Sequence, residues 1–103
     1  MTYEEKISWL SRYRKAEKLY QRLSYRLAEA QEATRHITQN LSAAPGGSKD
    51  GQSLARAVER EEEAERRAYA QLAVCDALFE EIDAALVQLD SAEYCALRKY
   101  YLN

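Results

Sequence analysis

The sequence predicts an all-α fold: a long antiparallel two-helix coiled-coil hairpin followed by a short third helix. Three observations carry this. Trp9, Tyr13, Ala16, Tyr20, Leu23, Leu27, Ala30, Thr34, Ile37 and Leu41 recur at alternating spacings of 4 and 3. After a Pro/Gly break, Leu54, Val58, Glu61, Glu65, Ala68, Leu72, Cys75, Phe79, Ile82 and Leu86 do the same. Paired in reverse, the residue numbers always add to 95, from Trp9 with Leu86 to Leu41 with Leu54, the mirror relation that a chain folding back on itself requires. Only 3 Gly and 1 Pro in 103 residues, among many Ala, Glu, Arg and Leu, fit long helices and one domain or a piece of one.

The first helix is expected over about residues 2–41, with Thr2 and Glu5 as a capping box in which hydroxyl and carboxylate each satisfy an orphan backbone N–H. Residues 42–52, around Pro45-Gly46-Gly47, read as the loop, because proline cannot continue a helix and glycine does not favour one. Ser53 is the expected N-cap of a second helix over about 53–90. A repeat of 3.5 residues implies a left-handed supercoil. Large residues face small ones across the seam (Ala16 with Phe79, Leu27 with Ala68, Tyr20 with Cys75), while Leu23–Leu72 and Tyr13–Ile82 fill more evenly. Trp9, Tyr13, Tyr20, Leu23, Leu27, Leu72, Phe79, Ile82 and Leu86 form the expected hairpin core.

Near the loop, Glu61 and Glu65 fall on the stripe and must be solvated or paired, since an unpaired buried carboxylate is costly. A metal site of these two with His36 is the sharper reading; a loose, wet end of the coil is the preferred one. Beyond residue 90, Ser91 reads as the cap of a third helix with Tyr94, Leu97, Tyr100 and Tyr101 on one face, and an uninterrupted second helix is the rival.

Net charge is −2. Residues 1–40 carry +3 and residues 54–90 carry −6. A lone basic helix would point to nucleic acid or a membrane surface. Here it faces an acidic helix, so neutralisation within the hairpin is the simpler reading, with Arg12 near Asp83, Arg14 near Glu81 and Lys15 near Glu80. No apolar run is long enough to span a bilayer, and the amino terminus lacks a signal-peptide pattern. The expected location is cytoplasmic, and Cys75 and Cys95 read as reduced and structural.

No catalytic constellation, phosphate loop or metal motif appears, so neither an enzyme, a cofactor, a metal nor a small-molecule substrate is expected. A second stripe, Ala57, Ala64, Leu78, Ala85 and Ala92 with Tyr3, Leu10 and Leu19, needs a cover. The tail, a second copy or a further segment would serve; a homo-oligomer, with a dimer favoured, is the preferred expectation, and Leu78, Ala85, Leu10 and Leu19 are its candidate interface.

The run Leu97-Arg98-Lys99-Tyr100-Tyr101-Leu102-Asn103, after a long helical hairpin with a Pro/Gly loop, resembles the start of a sigma-70 region-4-like helix-turn-helix. The whole chain resembles a family of small phage and prophage proteins of unknown function, similar to late transcriptional activators. The resemblance implies that Leu97, Tyr100 and Tyr101 support the first helix of that unit, with Arg98 and Lys99 as possible phosphate contacts. The turn and recognition helix of such a unit would come after Asn103, so DNA binding is expected only with a further carboxy-terminal unit. RNA polymerase or another transcription protein is the implied partner of the hairpin. The other expectation is a self-contained coiled-coil adaptor or phage assembly module with no nucleic-acid role.

Overall fold

Thr2 starts the first helix as the capping box requires: its Oγ1 accepts the Glu5 amide at 3.2 Å, and the Glu5 carboxylate accepts the Thr2 amide at 3.3 Å. The computed structural model describes residues 1–43 and 48–103, with side chains described outside 41–50. Among them the elements are α1 (Tyr3–Leu10), α2 (Arg12–Ala43), α3 (Ser48–Leu86) and α4 (Ser91–Tyr101), and no strand occurs. The two long arms pack against each other as a hairpin, with α4 following as a short third helix.

Three expected boundaries need correction. The first arm is interrupted at Ser11, whose ψ of −7° departs from the helical value. Ser11 Oγ donates to the Ile7 carbonyl at 2.7 Å, and Arg12 Nε donates to the Trp9 carbonyl at 3.1 Å. Side chains that compete for backbone carbonyls in this way bend a helix. The expected loop at 42–52 is shorter: α2 continues through Ala43 and α3 begins at Ser48, so Ser53 lies inside α3 and caps nothing. Pro45-Gly46-Gly47 lies outside the described residues.

At the other end α3 stops at Leu86, short of residue 90. The cap of α4 is Asp90 and not Ser91: with Asp90 at φ −66° and ψ 165°, its Oδ1 accepts the Glu93 amide at 2.9 Å. Asp90 therefore separates α4 from α3 and excludes one uninterrupted helix. The Glu93 amide, with the Glu93 side chain second, holds the Asp90 carboxyl below its ordinary value. A depressed folded value means this cap contributes fully above the ordinary carboxylate range near about 4 and is lost as pH falls through the lowered value. The protection of α4 amides relative to their intrinsic exchange rates should fall over that window, and Asp90→Ala should remove most of the dependence; an unchanged pH profile of protection in the variant would exclude the cap.

Contacts divide the chain into two units, Met1–Tyr20 with Ala70–Asn103, and Gln21–Tyr69. In the first, Ile82 is fully buried, Leu86 and Leu102 nearly so, and Trp9, Leu10, Tyr13, Phe79, Tyr94 and Leu97 pack around them. Tyr13 and Phe79 meet edge to face at 5.5 Å, a favoured aromatic geometry. Gln71 Nε2 donates to the Ala16 carbonyl at 2.9 Å, tying α3 to the α2 backbone. Residues 91–103 thus belong to the same unit as both ends of the hairpin and do not form a body of their own.

In the second unit the seam shifts. Ala57 and Ala68 are buried, Ala64 is half-buried, and Val58 and Glu65 are exposed. The least exposed series near the loop therefore runs 54, 57, 61, 64, 68, with only Ala57 and Ala68 buried, in place of 54, 58, 61, 65, 68. The reason is electrostatic and steric: turning α3 slightly brings small alanines to the seam and releases the Glu65 carboxylate to water, which avoids an uncompensated buried charge.

Candidate functional site

The side chains that fix α4 start from its own sequence. With 100° of turn per residue, Tyr94, Leu97 and Tyr101 fall on one face, and Tyr100 lies about 120° from Tyr94. Leu97 accordingly packs on the core, Tyr101 is half-buried and Tyr100 stays 65% exposed. Tyr100 thus takes no part in holding α4 on the hairpin; Leu102, 4% exposed, supplies the buried anchor. Tyr100 instead stacks edge-on with Tyr101 and lies beneath the Arg14 guanidinium, 5.4 Å from its ring centre. Arg14 Nη2 also donates to the Asn103 carbonyl at 3.4 Å.

A polar chain locks the start of α4 to α3. Tyr94 Oη donates to Asp83 Oδ1 at 2.8 Å, and Arg98 Nη1 donates to Tyr94 Oη at 2.5 Å. Arg98 lies 3.7 Å from Asp83 and over the rings of Phe79 and Tyr94. Its guanidinium is engaged by Asp83 and Tyr94 while its side chain stays 42% exposed; Lys99 is exposed. The bond to Asp83 raises the Tyr94 phenol above its ordinary value, with burial adding and Arg98 opposing. Asp83→Ala should bring the Tyr94 titration down toward about 10, followed by its ring resonances in NMR. A titration that does not move would remove the bond from the account.

The expected ion-pair ladder is also corrected. Arg12 pairs with Glu81 at 3.1 Å and not with Asp83, and its guanidinium sits over the Trp9 ring. Glu81 precedes the seam residue Ile82 and Asp83 follows it, so the two carboxylates leave opposite sides of the stripe. Asp83 is taken by Tyr94 and Arg98, and Arg14 by Tyr100 and Asn103. Glu81 is exposed while Arg12 is half-buried, with its Nη2 shielded from solvent, so the pair orients the Arg12 guanidinium over Trp9.

Of the expected interface residues, Leu10 is covered within the chain by the core cluster, Leu78 is half-buried, and Leu19 and Ala85 are exposed. Tyr20, Leu23, Leu27 and Leu72 are half-buried seam residues. Cys75 is buried and Cys95 exposed, both as free thiols. Burial, with Glu17 and Asp76 adding, pushes the Cys75 thiol up, away from the thiolate a nucleophile needs. Burial likewise raises the Tyr13 phenol. Among the described residues no three His, Cys, Asp or Glu side chains are placed to hold a metal, and no helix is long and apolar enough to cross a membrane.

The second unit carries an open groove of about 730 Å³ between α2 and α3. Leu23, Ala30, Ala33 and Ala64 give it an apolar lining, and four arginines (Arg26, Arg56, Arg60, Arg67) alternate with three glutamates around it. A small-molecule site concentrates a few fixed polar groups in an enclosed apolar pocket. Here the polar groups are long, exposed and of both signs, a pattern suited to another protein surface. The groove charges were present in the sequence as 3- and 4-residue spacings on two helices; only their meeting across the hairpin was not visible there. Comparison with protein-family models, with curated proteins and with solved structures finds no match for the chain.

Proposed function

We propose that this chain is the helical hairpin of a phage-type transcription regulator: the hairpin makes protein contacts or oligomerises, and α4 is the supporting helix on which a DNA-reading unit is built. The observation that supports it is the way α4 is held. It has its own cap at Asp90, an aromatic and apolar face on Ile82 and Leu86, and a side-chain lock through Asp83, Tyr94 and Arg98. A helix secured so firmly is a base that can orient whatever follows it, and rigid presentation is what groove recognition needs. The residues at hand supply no base readout, because an exposed Lys99 touching phosphate carries no sequence information. Reading would fall to a recognition helix, as the resemblance of Leu97–Asn103 to a region-4-like unit implies. A cytoplasmic location, contact with RNA polymerase or another transcription protein, and the absence of catalysis are parts of the same reading.

The test is binding of promoter DNA by the chain extended with a region-4-like carboxy-terminal unit. Affinity should fall steeply and linearly with the logarithm of salt concentration, as counterion release demands. No binding even at low salt would overturn the proposal. A coiled-coil adaptor without nucleic acid is the second reading, favoured by the exposure of Tyr25 and Tyr69 in the second unit, 69% and 61%. It is supported if the extended protein ignores DNA yet retains a protein partner.

A further inference from the structure

The second unit has little inside it. Among its described residues the fully buried ones are two alanines, Ala57 and Ala68, and the remaining seam positions are half-exposed. So thin a core gives limited stability by itself.

The groove charges say which way a second copy lies. Arg56, Glu59, Arg60 and Glu63 follow one another along the α3 side of the groove. Glu63 is satisfied on its own helix by Arg66 at 2.6 Å and Arg67 at 2.9 Å, which hold its carboxyl below the ordinary value. Glu59, Arg60 and Arg56 make no ion pair among the described residues. An antiparallel copy of α3, related by a two-fold axis midway between positions 59 and 60, sets Glu59 against the copy's arginine 60. Arg60 then meets the copy's glutamate 59, and Arg56 meets its glutamate 63. A two-fold interface must be self-complementary in this manner, and no like charges of these four residues face each other in that register.

The geometry points to a second copy of this chain as the occupant of the groove, docked antiparallel along α3 with reciprocal Glu59–Arg60 pairs and completing a four-helix bundle over Leu23, Ala30 and Ala64. This deepens the oligomerisation half of the reading above and rests on that half alone; DNA binding can fail and leave it standing.

Sedimentation velocity and equilibrium on the full chain test it, with helicity followed by circular dichroism. The wild type should sediment at twice the chain mass at tens of micromolar. Glu59→Arg and Arg60→Glu should each weaken the dimer roughly tenfold or more, since each converts two attractive contacts into two repulsive ones. The double swap Glu59→Arg with Arg60→Glu should restore the affinity to within about threefold of wild type. Both side chains are exposed, so all three variants should keep wild-type helicity. A monomeric wild type overturns the proposal. So does a dimer indifferent to both reversals, or one that both reversals weaken and the swap does not rescue.

Discussion

Ile82→Ala should lower the unfolding free energy by about 3 kcal/mol, within the ~2–5 kcal/mol seen for large-to-small changes at buried sites. Among the described residues Ile82 is the one large side chain with no exposure, and it sits where α3 meets both the first arm and α4. The substitution removes transfer energy and leaves a cavity walled by several elements, so the site cannot collapse easily. A small opposing gain comes from the better helix propensity of alanine, a few tenths of a kcal/mol. Ile82→Val should cost only about 1 kcal/mol. Val87→Ala provides the control, since Val87 is 60% exposed and a surface change stays within about 0.5 kcal/mol. Urea unfolding decides the matter. Equal midpoints for Ile82→Ala and Val87→Ala would mean that the core lies elsewhere.

Leu102→Ala should cost about 2 kcal/mol, the lower end for a buried leucine because Leu102 is the C-cap of α4 and a helix-end position relaxes more readily than a mid-helix one. Its more telling effect is local. Leu102 is 4% exposed and is the last residue holding α4 on Ile82 and Leu86, while its amide closes the helix by donating to the Arg98 carbonyl at 2.9 Å. Amide exchange in α4 should accelerate well beyond that in α3, because the short helix opens as a separate cooperative piece once its anchor is gone. Tyr100→Ala, on the exposed side of the same helix, should leave that protection nearly unchanged. Uniform acceleration across both helices would refute the anchoring role. If α4 supports a DNA-reading unit, the Leu102 variant should also weaken DNA binding by the extended protein without altering the charges that face it.

The hairpin was legible because its evidence is periodic and long: the mirrored positions set the pairing of the two arms, although near the loop the seam moves from Val58 and Glu65 to Ala57 and Ala64. The capping box at Thr2 and Glu5 was legible for a similar reason, since both partners lie within one turn. Short-range competition was less so. Ser11 breaks the first arm through one hydroxyl and its neighbour Arg12, a local contest that a 3.5-residue repeat passes over. At residue 90 the aspartate and the following serine are both good caps, and the deciding fact is which one adopts extended backbone.

The sequence by itself determined the fold class, the two arms and the third helix; its tight end, expected from Trp9 to Leu27 against Ala68 to Leu86, narrows in the structure to Trp9 and Tyr13 against Phe79, Ile82 and Leu86. The fold class, arms and third helix follow from local periodicity and from the free energy of burying one continuous stripe. The tertiary structure alone decided the partners of charged and aromatic groups. Arg98 became a lock on Asp83, Tyr100 a surface ring beneath Arg14, Leu102 a buried anchor, and Ala57 and Ala64 seam residues in place of Val58 and Glu65. Each of these depends on a rotation of a few tens of degrees about a helix axis. Such a rotation barely changes the apolar pattern, yet it determines whether a charge meets water, a partner or the core.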